Sequence, residues 1–166
     1  LLFDRTITTE SDLLELLNIL SIESKISFES LSLINLVLSI FENLNCLKFL
    51  HNKGCQWTSW SCAQAALFNN ISCLKYLLDH NCPCDAFTIN SAIMNGHLEC
   101  MVMLKENYNC PFDKWSTFIA AERGYLDCFK YLHVNGCEID ERAQKTAKRH
   151  GHHDILHYME EHHLLL

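Results

Sequence analysis

Polar and apolar positions along this chain fall into short blocks with helical spacing, and turn-forming residues separate the blocks. The segment "DAFTINSAIMN" (85–95) opens on Asp85, whose side-chain oxygen suits the first free backbone N–H groups of a helix. It runs for about ten residues and stops at Asn or Gly, which tolerate the left-handed conformation that ends a helix. A second helix is predicted through "LECMVMLKEN" (98–107), again with apolar residues at helical spacing. The short connection "NCPFD" (109–113) then brings in the next cap, Asp113. Such a unit is a helix–turn–helix with one apolar side too large to bury alone.

The pattern recurs. Cys46, Cys73, Cys100 and Cys128 are 27, 27 and 28 residues apart, and Ile155 follows after another 27. Cys55, Cys82, Cys110 and Cys137 keep the same beat, as do Ala65, Ala92, Ala120 and Ala147. Asn69, Gly96, Gly124 and Gly151 form a fourth series, and the caps Thr58, Asp85, Asp113 and Asp140 a fifth. Five positions with one period define a tandem repeat. Stacked units bury each other's apolar sides, so an all-α solenoid of about five short units is predicted, at 31–57, 58–84, 85–112, 113–139 and 140–163. Residues 1–30 include "SDLLELLNIL", an amphipathic helix capped by Ser11 or Asp12, and read as an N-terminal cap or degenerate unit. Unit one departs from the pattern, with Leu31 at the cap and Glu42 at the turn position.

"SAIMNGHLECMVMLKENYNC" (91–110) and "AAERGYLDCFKYLHVNGC" (120–137) resemble ankyrin repeats, whose helix pair is joined by a Gly-His-Leu-Glu-like turn. The usual ankyrin unit has 33 residues and a β-turn finger. Here the unit is about 27 and the finger shortens to a Cys-Pro-x-Asp type. The resemblance covers roughly residues 31–163 and implies an ankyrin-like helix–turn–helix solenoid.

Composition narrows the function. Hydrophobic residues at 49% and charged residues at 20% are globular proportions, and five Gly and two Pro leave little room for long loops. A formal net charge of −7 argues against nonspecific binding to nucleic acid. The acidity is uneven: residues 1–44 carry Arg5 and Lys25 against seven Asp and Glu, a net of −5. A basic run follows near the other end, at Arg142, Lys145, Lys148 and Arg149. No run reaches the ~18 apolar residues of a membrane span. The most apolar, "LSLINLVLSIF" (31–41), has 11 residues broken by Ser and Asn and reads as a buried helix. The chain does not open on Met, as expected of a fragment or an incomplete start.

Candidate chemistry dissolves into the repeat. "GHLEC" (96–100) looks like a metal or thiol site, but His97 takes the slot of Asn70, Tyr125 and His152, and Cys100 belongs to a core column. His97 is expected to buttress the turn. "HDILH" (153–157) resembles a zinc helix with Asp for Glu. His157, however, falls where Lys48, Lys75 and Lys130 fall, a solvated position, and zinc wants a third and fourth ligand. Adventitious metal binding is the most this His-rich end suggests. No Gly-rich phosphate loop and no nucleophile elbow is present, so neither a catalytic residue nor a cofactor is predicted. Same-register cysteines of stacked units should lie ~8–10 Å apart, beyond the ~7 Å reach of a disulfide. The columns are therefore not expected to zip into disulfides, and Cys is expected to act as a small buried apolar residue in a reducing, cytoplasmic compartment. Cys62 and Cys84 lie outside the columns and make no site.

What remains is surface. Trp60, Phe87 and Trp115 share one register and Trp57 and Phe112 another, and both sets are expected to pack between units. Contact residues are sought instead at i, i+4 and i+8 of each first helix. These are Ser59, Ala63 and Leu67; Ala86, Asn90 and Met94; Lys114, Phe118 and Glu122; Glu141, Lys145 and Arg149. Aligned across a concave face, with Phe68 beside them, they would centre on Leu67, Met94 and Phe118, an apolar patch rimmed by charge. The function expected is non-catalytic binding of another protein. Alternatives are a substrate-recruiting adaptor, for example in ubiquitin ligation, and a structural subunit whose acidic, Leu-rich residues 1–44 pack on a neighbouring chain. A zinc enzyme built on residues 150–163 ranks last.

Overall fold

The computed structural model describes Glu15, which is helical, and residues 44–164. The N-terminal cap expected at 1–30 and the first helix expected in unit 31–57 otherwise lie outside the described residues. Among those described the chain is all-helical, with nine helices and no strand. They are α1 (Leu44–Asn52), α2 (Ser59–Leu67), α3 (Ile71–Asp79), α4 (Ala86–Met94), α5 (Leu98–Tyr108), α6 (Lys114–Arg123), α7 (Leu126–Val134), α8 (Glu141–His150) and α9 (His153–Glu161).

The helices come in pairs, α2 with α3, α4 with α5, α6 with α7 and α8 with α9, while α1 packs on α3 as a second helix does. First helices stack in order, α2 on α4, α4 on α6 and α6 on α8, whereas second helices touch more sparsely. The tight row owes its closeness to alanine. Ala65, Ala92, Ala120 and Ala147 are fully enclosed, and Ala66, Ala121 and Ala143 join them. A bulkier residue in such a contact typically costs about 1–3 kcal/mol in strain. The second helices supply the volume, through Leu47, Leu50, Leu74, Leu77, Met101, Leu104, Phe129 and Leu132, all fully buried. Truncating one such side chain to Ala costs roughly 2–5 kcal/mol.

Each first helix starts at its cap. Asp85 accepts from the Thr88 N–H (3.0 Å), Asp113 from the Trp115 and Ser116 N–H groups (2.9 and 3.2 Å), and Asp140 from those of Arg142 and Ala143 (2.9 and 3.3 Å). It ends in the left-handed residue of the turn series, with φ of 56° at Asn69, 72° at Gly96, 76° at Gly124 and 75° at Gly151. A further column, unnoticed in the sequence, ends the second helices: Gly54, Asn81, Asn109, Gly136 and His163 all have positive φ.

The residue after the turn ties one unit to the one before it. His97 Nε2 donates to the Leu67 carbonyl (3.1 Å), which also accepts from Asn95 Nδ2 (2.8 Å), and His152 Nε2 donates to the Glu122 carbonyl (3.0 Å). "GHLEC" is a buttressed turn. The rings of this slot also rest on the preceding turn glycine. A Cβ added to Gly96 would come within 2.7 Å of the Tyr125 ring, and one on Gly124 within 2.5 Å of the His152 ring. A Cβ on Gly151 would meet nothing within 4 Å.

Gly124 and Gly151 share the same backbone conformation, so Ala at either position carries the left-handed cost of about 1–2 kcal/mol. Gly124→Ala must also displace His152. Denaturant unfolding should therefore show a larger loss for Gly124→Ala than for Gly151→Ala. Equal losses would mean that the ring-on-glycine contact between units contributes nothing.

Candidate functional site

Two residues after each cap, the first helices carry Trp60, Phe87, Trp115 and Arg142. The three aromatic side chains are 43%, 43% and 46% exposed, which corrects the expectation that they are packed between units rather than exposed, although Trp60 does meet Phe87 across a unit boundary. The cause is the alanine contact: helices that approach this closely leave no gap for an indole, so the rings lie over the edge of the row. There they meet each other. Trp60 and Phe87 stack with centroids 5.1 Å apart and planes 13° from parallel. The Arg142 guanidinium sits 4.8 Å from the centre of the Trp115 ring. It is held there by Asp140, through Nε to Oδ2 at 2.7 Å and Nη2 to Oδ2 at 2.5 Å. That side-chain bond, followed by two backbone N–H donors, keeps the Asp140 carboxyl below its ordinary range.

Between Phe87 and Trp115 lies an open apolar groove of about 270 Å³, lined also by Met94, Phe118 and Ile119. Phe118 meets Trp115 edge-on at 5.6 Å. Asn90 and Asp113 contribute the polar part of the lining. Asn90 Nδ2 donates to Asp113 Oδ1 (3.0 Å), and its Oδ1 accepts from Ser116 Oγ (2.7 Å), so its side chain clamps α4 to the start of α6.

The predicted contact residues divide accordingly. Met94 and Phe118 are brought together in the groove, both half-buried. Ala63 is a correction, since it is fully enclosed and not available to a partner. Asn90, in the same register one unit later, is largely buried by its clamp and reaches the groove only as part of its polar lining. At Ala63 and Asn90 this register faces the neighbouring first helix, whereas at Phe118 it opens on the groove and at Lys145 on solvent. Ser59, Leu67 and Ala86 are half-buried and Phe68 is exposed, all outside the groove. Lys114, Lys145 and Arg149 are exposed, Glu122 is half-buried, and Glu141 pairs with Lys145 at 2.6 Å. Sequence reasoning missed Trp60, Phe87 and Trp115 as surface and did not place Arg142 against Trp115. Their shared register was visible, but its distance from the alanine contact was not.

Charge along the row is graded. Helices α2 and α4 contain no charged side chain, whereas α6 and α8 together hold six Lys or Arg against two Glu. No helix among the described residues is long and apolar enough to cross a membrane.

Other candidate chemistry is accounted for by packing. A second cavity of about 390 Å³ lies at the connections, among Lys105, Phe112, Asp113, Lys114 and Glu138, with the Lys105 ammonium 4.8 Å above the Phe112 ring. At the His-rich end, His152 bonds Glu122, His157 faces Glu161 at 3.3 Å, and His162 packs on Tyr158. Among the described residues no three His, Cys, Asp or Glu converge to hold a metal ion. Burial pushes the Cys100 thiol up to about 12 and those of Cys128 and Cys137 to about 11, the opposite of a reactive cysteine.

Cysteine pairing needs a correction. Cys84 and Cys110 form a disulfide, with Cα atoms 5.7 Å apart, and the other eight are thiols. No two members of one column are joined, but the two ends of one helix pair meet: Cys84, the last residue of its unit, precedes the cap of α4, and Cys110 follows α5. In the units on either side the same junction is a thiol bond to the cap carbonyl, Cys82 Sγ to Thr58 O (3.2 Å) and Cys137 Sγ to Asp113 O (3.3 Å). The expectation considered distances within a column and overlooked the pairing of a column cysteine with one outside it. The inference to a reducing compartment rested on every cysteine being a thiol, and it loses that support.

Neither a protein-family model nor a curated protein matches the chain. Alkylation of the denatured, unreduced protein should label eight of its ten cysteines, leaving the Cys84 and Cys110 peptides joined in mass spectrometry. Ten labelled cysteines would return Cys84 and Cys110 to the thiol pool.

Proposed function

We propose that this chain is a non-catalytic binding scaffold, an ankyrin-type solenoid of short units that docks a protein partner on its first-helix face. One observation carries this most: aromatic side chains recur in one register of consecutive units and stand exposed around an apolar groove. Exposed apolar patches with polar rims are what protein contacts use, and Trp and Arg dominate their energetics. The unit period, the caps and the left-handed turns support the ankyrin-type assignment. The face is also pre-organised. Trp60 is braced by Phe87, and Trp115 by Phe118 and Arg142, so docking orders few side chains. The contact centre proposed keeps Met94 and Phe118 from the expected set and takes Phe87 and Trp115 in place of Leu67.

A double variant, Phe87→Ala with Trp115→Ala, removes only exposed rings and should leave the helical circular dichroism unchanged. Proteins captured from native lysate by the wild type should bind this variant at least ~30-fold more weakly, the effect of losing about 2 kcal/mol at a hot spot. Lys75→Glu with Lys130→Glu, on exposed second-helix positions, should bind as the wild type does. Capture retained by the aromatic variant, or lost only in the second-helix control, would contradict the proposal.

A further inference from the structure

The registers that line the groove change character at α8. Trp60, Phe87 and Trp115 are followed by Arg142; Leu67, Met94 and Glu122 by Arg149; Ala63, Asn90 and Phe118 by Lys145. The strip is therefore continuous in geometry but runs from apolar on α2 and α4 to cationic on α8. The cations are accessible. Lys114, Lys148 and Arg149 are exposed and have no ion-pair partner among the described residues, and the Lys145–Glu141 pair is an exposed i,i+4 contact that a better acceptor can displace. Arg142 is fixed above Trp115, where the apolar end of the strip meets the basic one.

We propose that the partner presents an acidic segment in which a large apolar side chain fills the Phe87–Trp115 groove and nearby carboxylates meet Lys145 and Arg149. The inference rests on the protein-binding reading above and specifies its partner. Spacing follows from the stack. Neighbouring first helices lie roughly 8–10 Å apart, and an extended chain advances about 3.3 Å per residue. Carboxylates about three or four positions from the anchor would therefore reach α8. A nucleic acid or an anionic membrane fits less well. Glu122, Glu141, Asp113 and Asp140 are interleaved with the cations, and the whole chain carries a net charge of −7, so a dense row of phosphates would meet repulsion as well as attraction. A peptide can place its carboxylates between those groups, where fixed phosphate spacing cannot.

The test is selection from a random peptide library displayed on phage, using the intact chain as bait. Enriched peptides should pair an aromatic or large aliphatic residue with Asp or Glu three or four positions away. A synthetic peptide of that pattern should bind about tenfold more weakly to Lys145→Glu with Arg149→Glu. It should lose more, about thirty-fold, on Trp115→Ala. Peptides that are neutral or basic, or that ignore the charge reversal yet need Trp115, would overturn the acidic partner while leaving the binding face intact. Peptides indifferent to both variants would overturn the face as well. RNA or anionic vesicles bound in place of peptides, and lost on the same charge reversal, would also overturn the proposal.

Discussion

The contact between consecutive first helices sets the rest of this structure. Alanine at the point of approach, from Ala65 to Ala147, brings α2, α4, α6 and α8 together more closely than the second helices come. Because the fit is close, volume has to go elsewhere. Leucines, methionines and Phe129 fill the space under the second helices, while the largest rings of the first helices are left outside. The exposed aromatic column is thus a consequence of the packing that stabilises the fold rather than an addition to it. Side chains placed in this way are held in position by the core beneath them.

Polar groups reinforce the same contact. Asn90 joins α4 to the cap of α6 across the unit boundary, and the His97 and His152 rings reach back to carbonyls at the ends of α2 and α6. Each would be costly if left unpaired in the interior. They therefore favour one register of stacking over a slipped one. The turn glycines take part, since Gly124 leaves the room that the His152 ring occupies. Around each helix pair, a cysteine closes the loop from the second helix back to the cap, by a thiol bond in two pairs and by the Cys84–Cys110 disulfide in the pair between them.

Much of this was legible in the sequence because a repeat reports its own grammar. The helix pairs, the Asp caps and the left-handed turns all follow from residue types whose local preference does not depend on the neighbours. Three features were not legible, and each depends on distance in the stack. Ala63 and Asn90 were read as surface because helical periodicity identifies a face but does not say which neighbour covers it. Trp60, Phe87 and Trp115 were read as buried because large apolar rings usually are, and the lack of space between the first helices appears only in three dimensions. Cys84 was set aside because it broke the period, yet its departure from the column is what lets it meet Cys110. The outcome for the site follows the same lines: Met94 and Phe118 were found by periodicity, and the rings on either side of them were not.

The claim that the rest depends on is that in-register stacking of first helices builds an exposed aromatic strip. Proton NMR with a soluble paramagnetic agent tests it directly. The account predicts cross-relaxation between the Trp60 and Phe87 rings and between Trp115 and the Arg142 side chain, with the Trp60 and Trp115 ring signals broadened by the agent. Absent cross-peaks, or indole signals shielded from the agent, would contradict it.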